Sequence, residues 1–85
     1  MVIAAKRVRA ASGSGTLLTV PEDNARLYVR NTSNLRMVYL GGSPGECLFG
    51  LRPRETFQLN VSAGKSIYVR SGGGGSAYVE TLTIV

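Results

Sequence analysis

What most limits the fold of this 85-residue chain is its punctuation: short runs of β-branched and aromatic residues recur about every ten positions, separated by clusters of Gly, Pro, Asn and Ser. Apolar residues at helical spacing are almost absent. The runs predict strands at Val2 to Arg9, Thr16 to Val20, Ala25 to Asn31, Leu35 to Leu40, Glu46 to Leu51, Thr56 to Val61, Ser66 to Arg70 and Ala77 to Val85. The clusters between them, such as Pro21-Glu22-Asp23-Asn24 and Gly41-Gly42-Ser43-Pro44-Gly45, supply residues that tolerate positive φ or pre-set a turn. Eight strands with no helical crossover predict an all-β fold, a single small antiparallel β-sandwich of jelly-roll type. One domain is expected over residues 1-85, with residues 1-15 as an N-terminal arm and strand.

Alternation assigns faces. Leu27 and Val29 oppose Arg26, Tyr28 and Arg30; Phe57, Leu59 and Val61 oppose Thr56, Gln58 and Asn60; Ile67 and Val69 oppose Ser66, Tyr68 and Arg70. The apolar sets are the expected core. Two strands read as apolar on both sides. In the last, Tyr78, Leu82 and Ile84 lie opposite Ala77, Val79 and Val85; in the fourth, Leu35, Met37 and Tyr39 lie opposite Val38 and Leu40. Such strands leave apolar side chains either for a partner or for a covering loop of the same chain.

Composition excludes several chemistries. With no histidine and a lone Cys47, the chain can form neither an internal disulfide, nor a tetrahedral zinc site, nor a cysteine–histidine nucleophile. Glu22 and Asp23 are neighbours in a turn, where solvation is the ordinary role. Gly64-Lys65-Ser66 imitates the end of a phosphate loop, but position 59 is leucine where that loop needs glycine, and no helix follows, so a hairpin turn is expected. The run Gly72-Gly73-Gly74-Gly75 reads as a flexible hairpin tip. No enzyme activity, metal, cofactor or small-molecule ligand is expected. The opening apolar run ends at the fifth residue, too short for a secretory signal, so synthesis in the cytoplasm is expected and the triplets Asn31-Thr32-Ser33 and Asn60-Val61-Ser62 are not expected to carry glycans.

A domain this small buries only about 63% of its unfolded surface. Lacking disulfides and metals, it is expected to supplement its core by burial against other protein. The net charge of +5 raises nucleic acid as a partner, and Arg26, Tyr28 and Arg30 with Tyr68 and Arg70 suit stacking on single strands. Eight of the ten basic residues are arginine, however, and no basic run exceeds Lys6-Arg7. Arginine is favoured where carboxylates are met across a protein interface, and that reading is preferred here.

The order Ala25-Arg26-Leu27-Tyr28-Val29-Arg30-Asn31, then Val38-Tyr39-Leu40-Gly41-Gly42, the turn Arg52-Pro53-Arg54-Glu55, and Ile67-Tyr68-Val69 before a terminal strand resembles small β-sandwich structural proteins of tailed bacteriophages. The resemblance covers roughly Pro21 to Glu80, and the turn carries Arg54 where glycine is usual. It implies a virion component, foremost a capsid decoration or cement protein on the head surface, and otherwise a neck, tail or fibre part. The partners so implied are the major capsid protein and further copies of the chain, as a trimer. Candidate contact residues are Lys6, Arg7 and Arg9 on the N-terminal arm, Arg26, Tyr28 and Arg30 on the third strand, and Tyr78, Leu82 and Ile84 on the last. For the arm, an added strand on a partner and an ordinary edge strand are both open.

Overall fold

Leu27 and Val29 are fully buried, while Arg26 and Arg30 on the opposite side of the same strand are exposed, as period-two alternation requires. The computed structural model describes residues 3–73 and 75–85. It contains eight strands: β1 (Ile3–Ala10), β2 (Thr16–Thr19), β3 (Ala25–Asn31), β4 (Val38–Gly41), β5 (Phe49–Leu51), β6 (Thr56–Val61), β7 (Ile67–Ser71) and β8 (Ala77–Ile84). Met1, Val2 and Gly74, expected in the arm, the first strand and the glycine run, lie outside the described residues.

The strands form two four-stranded sheets, ordered β1-β8-β3-β6 and β2-β7-β4-β5. All named pairings are antiparallel, and they follow one rule: β1 with β8, β2 with β7, β3 with β6 and β4 with β5. The chain is one long hairpin with its apex between β4 and β5, wound round so that β3 also meets β8 and β4 also meets β7. That winding is the jelly roll. Only the β4–β5 connection stays within a sheet. The segments expected as hairpins around Gly64 and at the glycine run are therefore crossovers between sheets.

The expected core is the observed one: Leu27, Val29, Val61 and Val69 are buried, and Phe57, Leu59 and Ile67 pack against them. Leu18, Val38, Leu40, Leu51 and Val79 complete it.

Among the described residues the buried polar side chains are Asn31, Ser71 and Thr81, and Asn31 is the largest of those that are fully buried. Its Nδ2 donates to the Arg36 carbonyl at 2.8 Å and to the Leu51 carbonyl at 3.1 Å, and its Oδ1 accepts from the Ser33 N–H at 3.0 Å. Its backbone N–H donates to the Glu55 carbonyl at 3.0 Å, and its carbonyl accepts from the Arg54 N–H at 2.9 Å. Every group it brings into the core is satisfied, the condition under which a buried amide is tolerated. A glycan at this asparagine is incompatible with the fold.

Two strand expectations need correction. Leu35 to Met37 are not in a strand, and Leu35 is 90% exposed. Ser33 Oγ accepts from the Leu35 and Arg36 N–H groups at 3.2 and 2.9 Å, and this local bonding holds a turn where a ladder was expected. Glu46 to Leu48 are also outside β5, because the Glu46 N–H is spent on the Ser43 carbonyl in a turn through Pro44 and Gly45. The glycine run is not an idle tip either. A Cβ on Gly72 would lie 2.8 Å from the Tyr39 ring, so a side chain there is excluded by packing, whereas one on Gly75 would meet only the flexible end of Arg36 at 2.6 Å.

The turn at Arg52-Pro53-Arg54-Glu55 is closed by the Glu55 N–H on the Arg52 carbonyl at 3.1 Å, with Pro53 second and Arg54 third. Arg54 has φ +68°, the left-handed conformation that a type II turn requires at this position. Glu55 Oε1 accepts from the Arg52 N–H at 3.0 Å and fastens the turn from the other side.

Asn31→Ala should strip partners from two carbonyls and one N–H and lower unfolding stability by about 3 kcal/mol. Asn31→Asp should fail similarly, because a carboxylate cannot donate to the two carbonyls. Urea midpoints within error of wild type for both would remove Asn31 as the organiser. Arg54→Gly should raise stability by about 0.5–1 kcal/mol, since relief of left-handed strain exceeds the added entropy of the unfolded chain. A lower midpoint for that variant would show that the Arg54 side chain is needed.

Candidate interaction face

Strand order decides which side chains share a surface. On the side of the β1-β8-β3-β6 sheet turned away from the core, the register builds four rows across the strands. The first is Ile3, Ile84, Arg26 and Asn60; the second is Ala5, Leu82, Tyr28 and Gln58. The third is Arg7, Glu80, Arg30 and Thr56, and Arg9 beside Tyr78 begins a fourth. Eight of the nine candidate contact residues, drawn from three separate segments, thus converge on one face. Lys6 does not. It pairs with Thr81 on the opposite side of β1, along with Val8 and Ala10, and stays exposed at the end of the strand away from buried Ala10. As for the arm, Ile3–Ala10 runs as an edge strand paired along its whole length with β8.

Apolar and cationic side chains are interleaved on the face, with Arg26 in one row with Ile3 and Ile84, and Tyr78 beside Arg9. Ile3 and Tyr78 are 59% and 45% exposed, and Tyr28, Leu82 and Ile84 are half-buried. Four arginines, Arg7, Arg9, Arg26 and Arg30, stand against the single acid Glu80, so this one face carries +3 of the chain's +5. Arg30 Nη1 lies 3.8 Å from Glu80 Oε1, both side chains at least half exposed, a pair that adds little to stability. Arg7 stacks 4.7 Å from the centre of the Tyr78 ring, and Arg9 Nε donates to Ser76 Oγ at 3.2 Å. These contacts hold two guanidinium groups over the sheet. At the middle of the face, Ala5, Arg7, Tyr28, Arg30 and Leu82 line a shallow depression of about 550 Å³.

Aromatic residues and arginine around an apolar centre are the composition of protein-docking surfaces. Tyr68 and Arg70, weighed from sequence with the third strand, lie on the other sheet, where Arg70 stacks 4.5 Å from the Tyr39 ring. The stacking surface for single strands is therefore divided between two sheets.

Other reactive groups are committed to the fold. The Gly64 N–H, which a phosphate would need, donates to the Pro21 carbonyl at 2.8 Å. Among the described residues no three acidic, histidine or cysteine groups gather as metal ligands. Cys47 is buried against the Ser43 carbonyl, and burial pushes its thiol above the ordinary value, against a smaller lowering by the Arg70 charge. The unfolded chain therefore releases this proton first. The Cys47 contribution is intact below the ordinary thiol range and is lost as pH rises toward the folded-state value. Urea midpoints should fall from about pH 8.5 upward, and Cys47→Ala should lack that component of the slope. Native Cys47 should react with thiol reagents only on unfolding; fast labelling of the folded protein would contradict its burial.

Comparison with family models, with curated proteins and with solved structures finds no match to this chain.

Proposed function

We propose that the protein is a structural component of a tailed-phage virion, a decoration or cement module that docks on the capsid surface through the outer face of its β1-β8-β3-β6 sheet. The observation that carries this reading is the gathering of Arg7, Arg26, Arg30, Tyr28, Tyr78 and Leu82 on one face of the domain. The jelly roll recurs in viral shell domains, which supports the reading as an analogy of architecture. The resemblance over Pro21 to Glu80 supports it as well.

Energetics fit a lattice binder. Burial of several hundred Å² of apolar surface stabilises by several kcal/mol at about 25 cal/mol per Å², before the costs of association. One copy then binds modestly. Many copies on one shell add up to resistance against internal pressure. The arginines favour a lattice surface rich in carboxylates, and such pairs would complete only where neighbouring capsid subunits present their acids together.

A neck, tail or fibre position would use the same face. A nucleic-acid module is the alternative from a different class, motivated by the +3 face with its two tyrosines.

Purified protein should cosediment with undecorated heads of the encoding phage. Arg26→Glu with Arg30→Glu should weaken binding by at least about tenfold, equivalent to 1.4 kcal/mol. Wild-type protein that ignores heads but binds tails or fibres would move it along the virion. Binding to single-stranded nucleic acid with affinity falling steeply in log salt, and none to virion parts, would replace the proposal.

A further inference from the structure

A sandwich of two open sheets has four edge strands, and an unprotected edge is a template for another strand. Here three of the four are protected. β1 carries Lys6, Arg7 and Arg9, like charges that oppose strand addition. β2 has a register shift between Leu17 and Thr19 that breaks its ladder. β5 is only three residues long.

β6 has none of these protections. Thr56-Phe57-Gln58-Leu59-Asn60-Val61 is six residues with no charge, no proline and no bulge, and it pairs with β3 alone, in unbroken register. Its free side is also apolar. Phe57 and Leu59 are half-buried, and the Phe49 ring, 51% exposed, lies 4.6 Å from the Phe57 ring across the open side of the sandwich. Leu48 beside it is 77% exposed.

We propose that β6 is a self-association edge, and that two copies of this chain join through antiparallel β6–β6 pairing across a two-fold axis into one eight-stranded sheet. The pattern of β6 is self-complementary in that arrangement. With Gln58 opposite the second copy's Gln58, each Phe57 faces a Leu59 on the inner side, and each Thr56 faces an Asn60 on the outer side. Phe57 and Leu59 then meet apolar partners and the amides and hydroxyls meet polar ones, while Val61 at the end of the strand falls opposite Glu55 of the second copy. No charge within β6 opposes another on the second copy, which is what a two-fold contact demands, because each residue i that meets a residue j is matched by a j that meets i. The +3 outer face cannot serve this role, since pairing it with itself would set arginines against arginines. Two-fold closure also consumes both β6 edges and leaves only the charged β1 edges at the ends of the sheet, so assembly stops at two.

This inference rests on the strand edges and not on the virion reading, and its test involves no capsid. Analytical ultracentrifugation at high micromolar concentration should give twice the 9.0 kDa chain mass. Gln58→Lys and Gln58→Glu place like charges opposite each other at the axis, on an exposed side chain that the monomer fold does not use. Each should raise the dimer dissociation constant by at least about tenfold, and an equal mixture of the two should restore dimers. Arg30→Glu should leave dimerisation unchanged. A monomer at high concentration, a trimer, or a dimer that both Gln58 variants leave intact would overturn the proposal. Circular dichroism of each variant separates loss of pairing from loss of fold.

Discussion

The fold depends on Asn31. A jelly roll requires the chain to leave one sheet at the end of β3, enter the other at β4, and return after β5, and all three passages meet at this residue. Its side chain holds the Arg36 and Leu51 carbonyls, and its backbone holds Arg54 and Glu55. An apolar residue of similar size could fill the space but could not satisfy two inward carbonyls and an N–H. The cost of leaving such groups bare in a low-dielectric interior makes this arrangement of the loops hard to replace. Position 54 must accept a left-handed backbone for the same reason. The turn has to deliver the Arg54 N–H to the Asn31 carbonyl, and arginine bears the strain at that site.

With those passages fixed, the two sheets are unlike on their outer sides. The β2-β7-β4-β5 sheet presents Tyr39, Arg70 and glycine backbone, with Arg36 and Tyr39 already packed on the β7–β8 crossover. The β1-β8-β3-β6 sheet presents a face on which, among the described residues, Ile3 and Tyr78 are exposed and Leu82 and Ile84 are half-buried. Of the two readings open for the double-sided last strand, this leaves Tyr78, Leu82 and Ile84 available to a partner. The fourth strand went the other way. Its outward Tyr39 is occupied within the chain, and Leu35 was never in the strand.

What was legible in the sequence was local. Alternation in β3, β6 and β7 is written into adjacent residues, so their core and outer faces could be assigned without knowing the topology, whereas β8 is apolar on both sides and its pairing decides which side faces the core. The convergence of Arg7, Arg30 and Glu80 could not, since it depends on β8 lying between β1 and β3, a pairing of residues far apart in the chain. Lys6 was grouped with Arg7 and Arg9 by charge, although alternation alone places it on the other side. Leu35 to Met37 misled because their composition suits a strand, while Asn31 and Ser33, upstream of them, claim the backbone first. The glycine run was legible in part, since Gly73 takes the positive φ that such clusters allow, while the Tyr39 ring that excludes a side chain at Gly72 lies far away in the sequence.

Face and edge are coupled by geometry. A two-fold axis through β6–β6 pairing runs perpendicular to the sheet, so both outer faces of such a pair point the same way. Seven strand spacings of about 4.8 Å make the combined surface roughly 34 Å wide. Each half would carry the same apolar rows and the same three net positive charges. On the lattice proposed as its partner, a surface of that kind would engage at two points, and the second contact would form at the high effective concentration set by the rigid sheet. Modest affinity per face then suffices for firm attachment to an ordered array, while a lone acidic protein in solution, offering one site, is held weakly. Selectivity for an assembled surface over its free subunits would thus come from the spacing of two faces, with no need for either face to bind tightly alone.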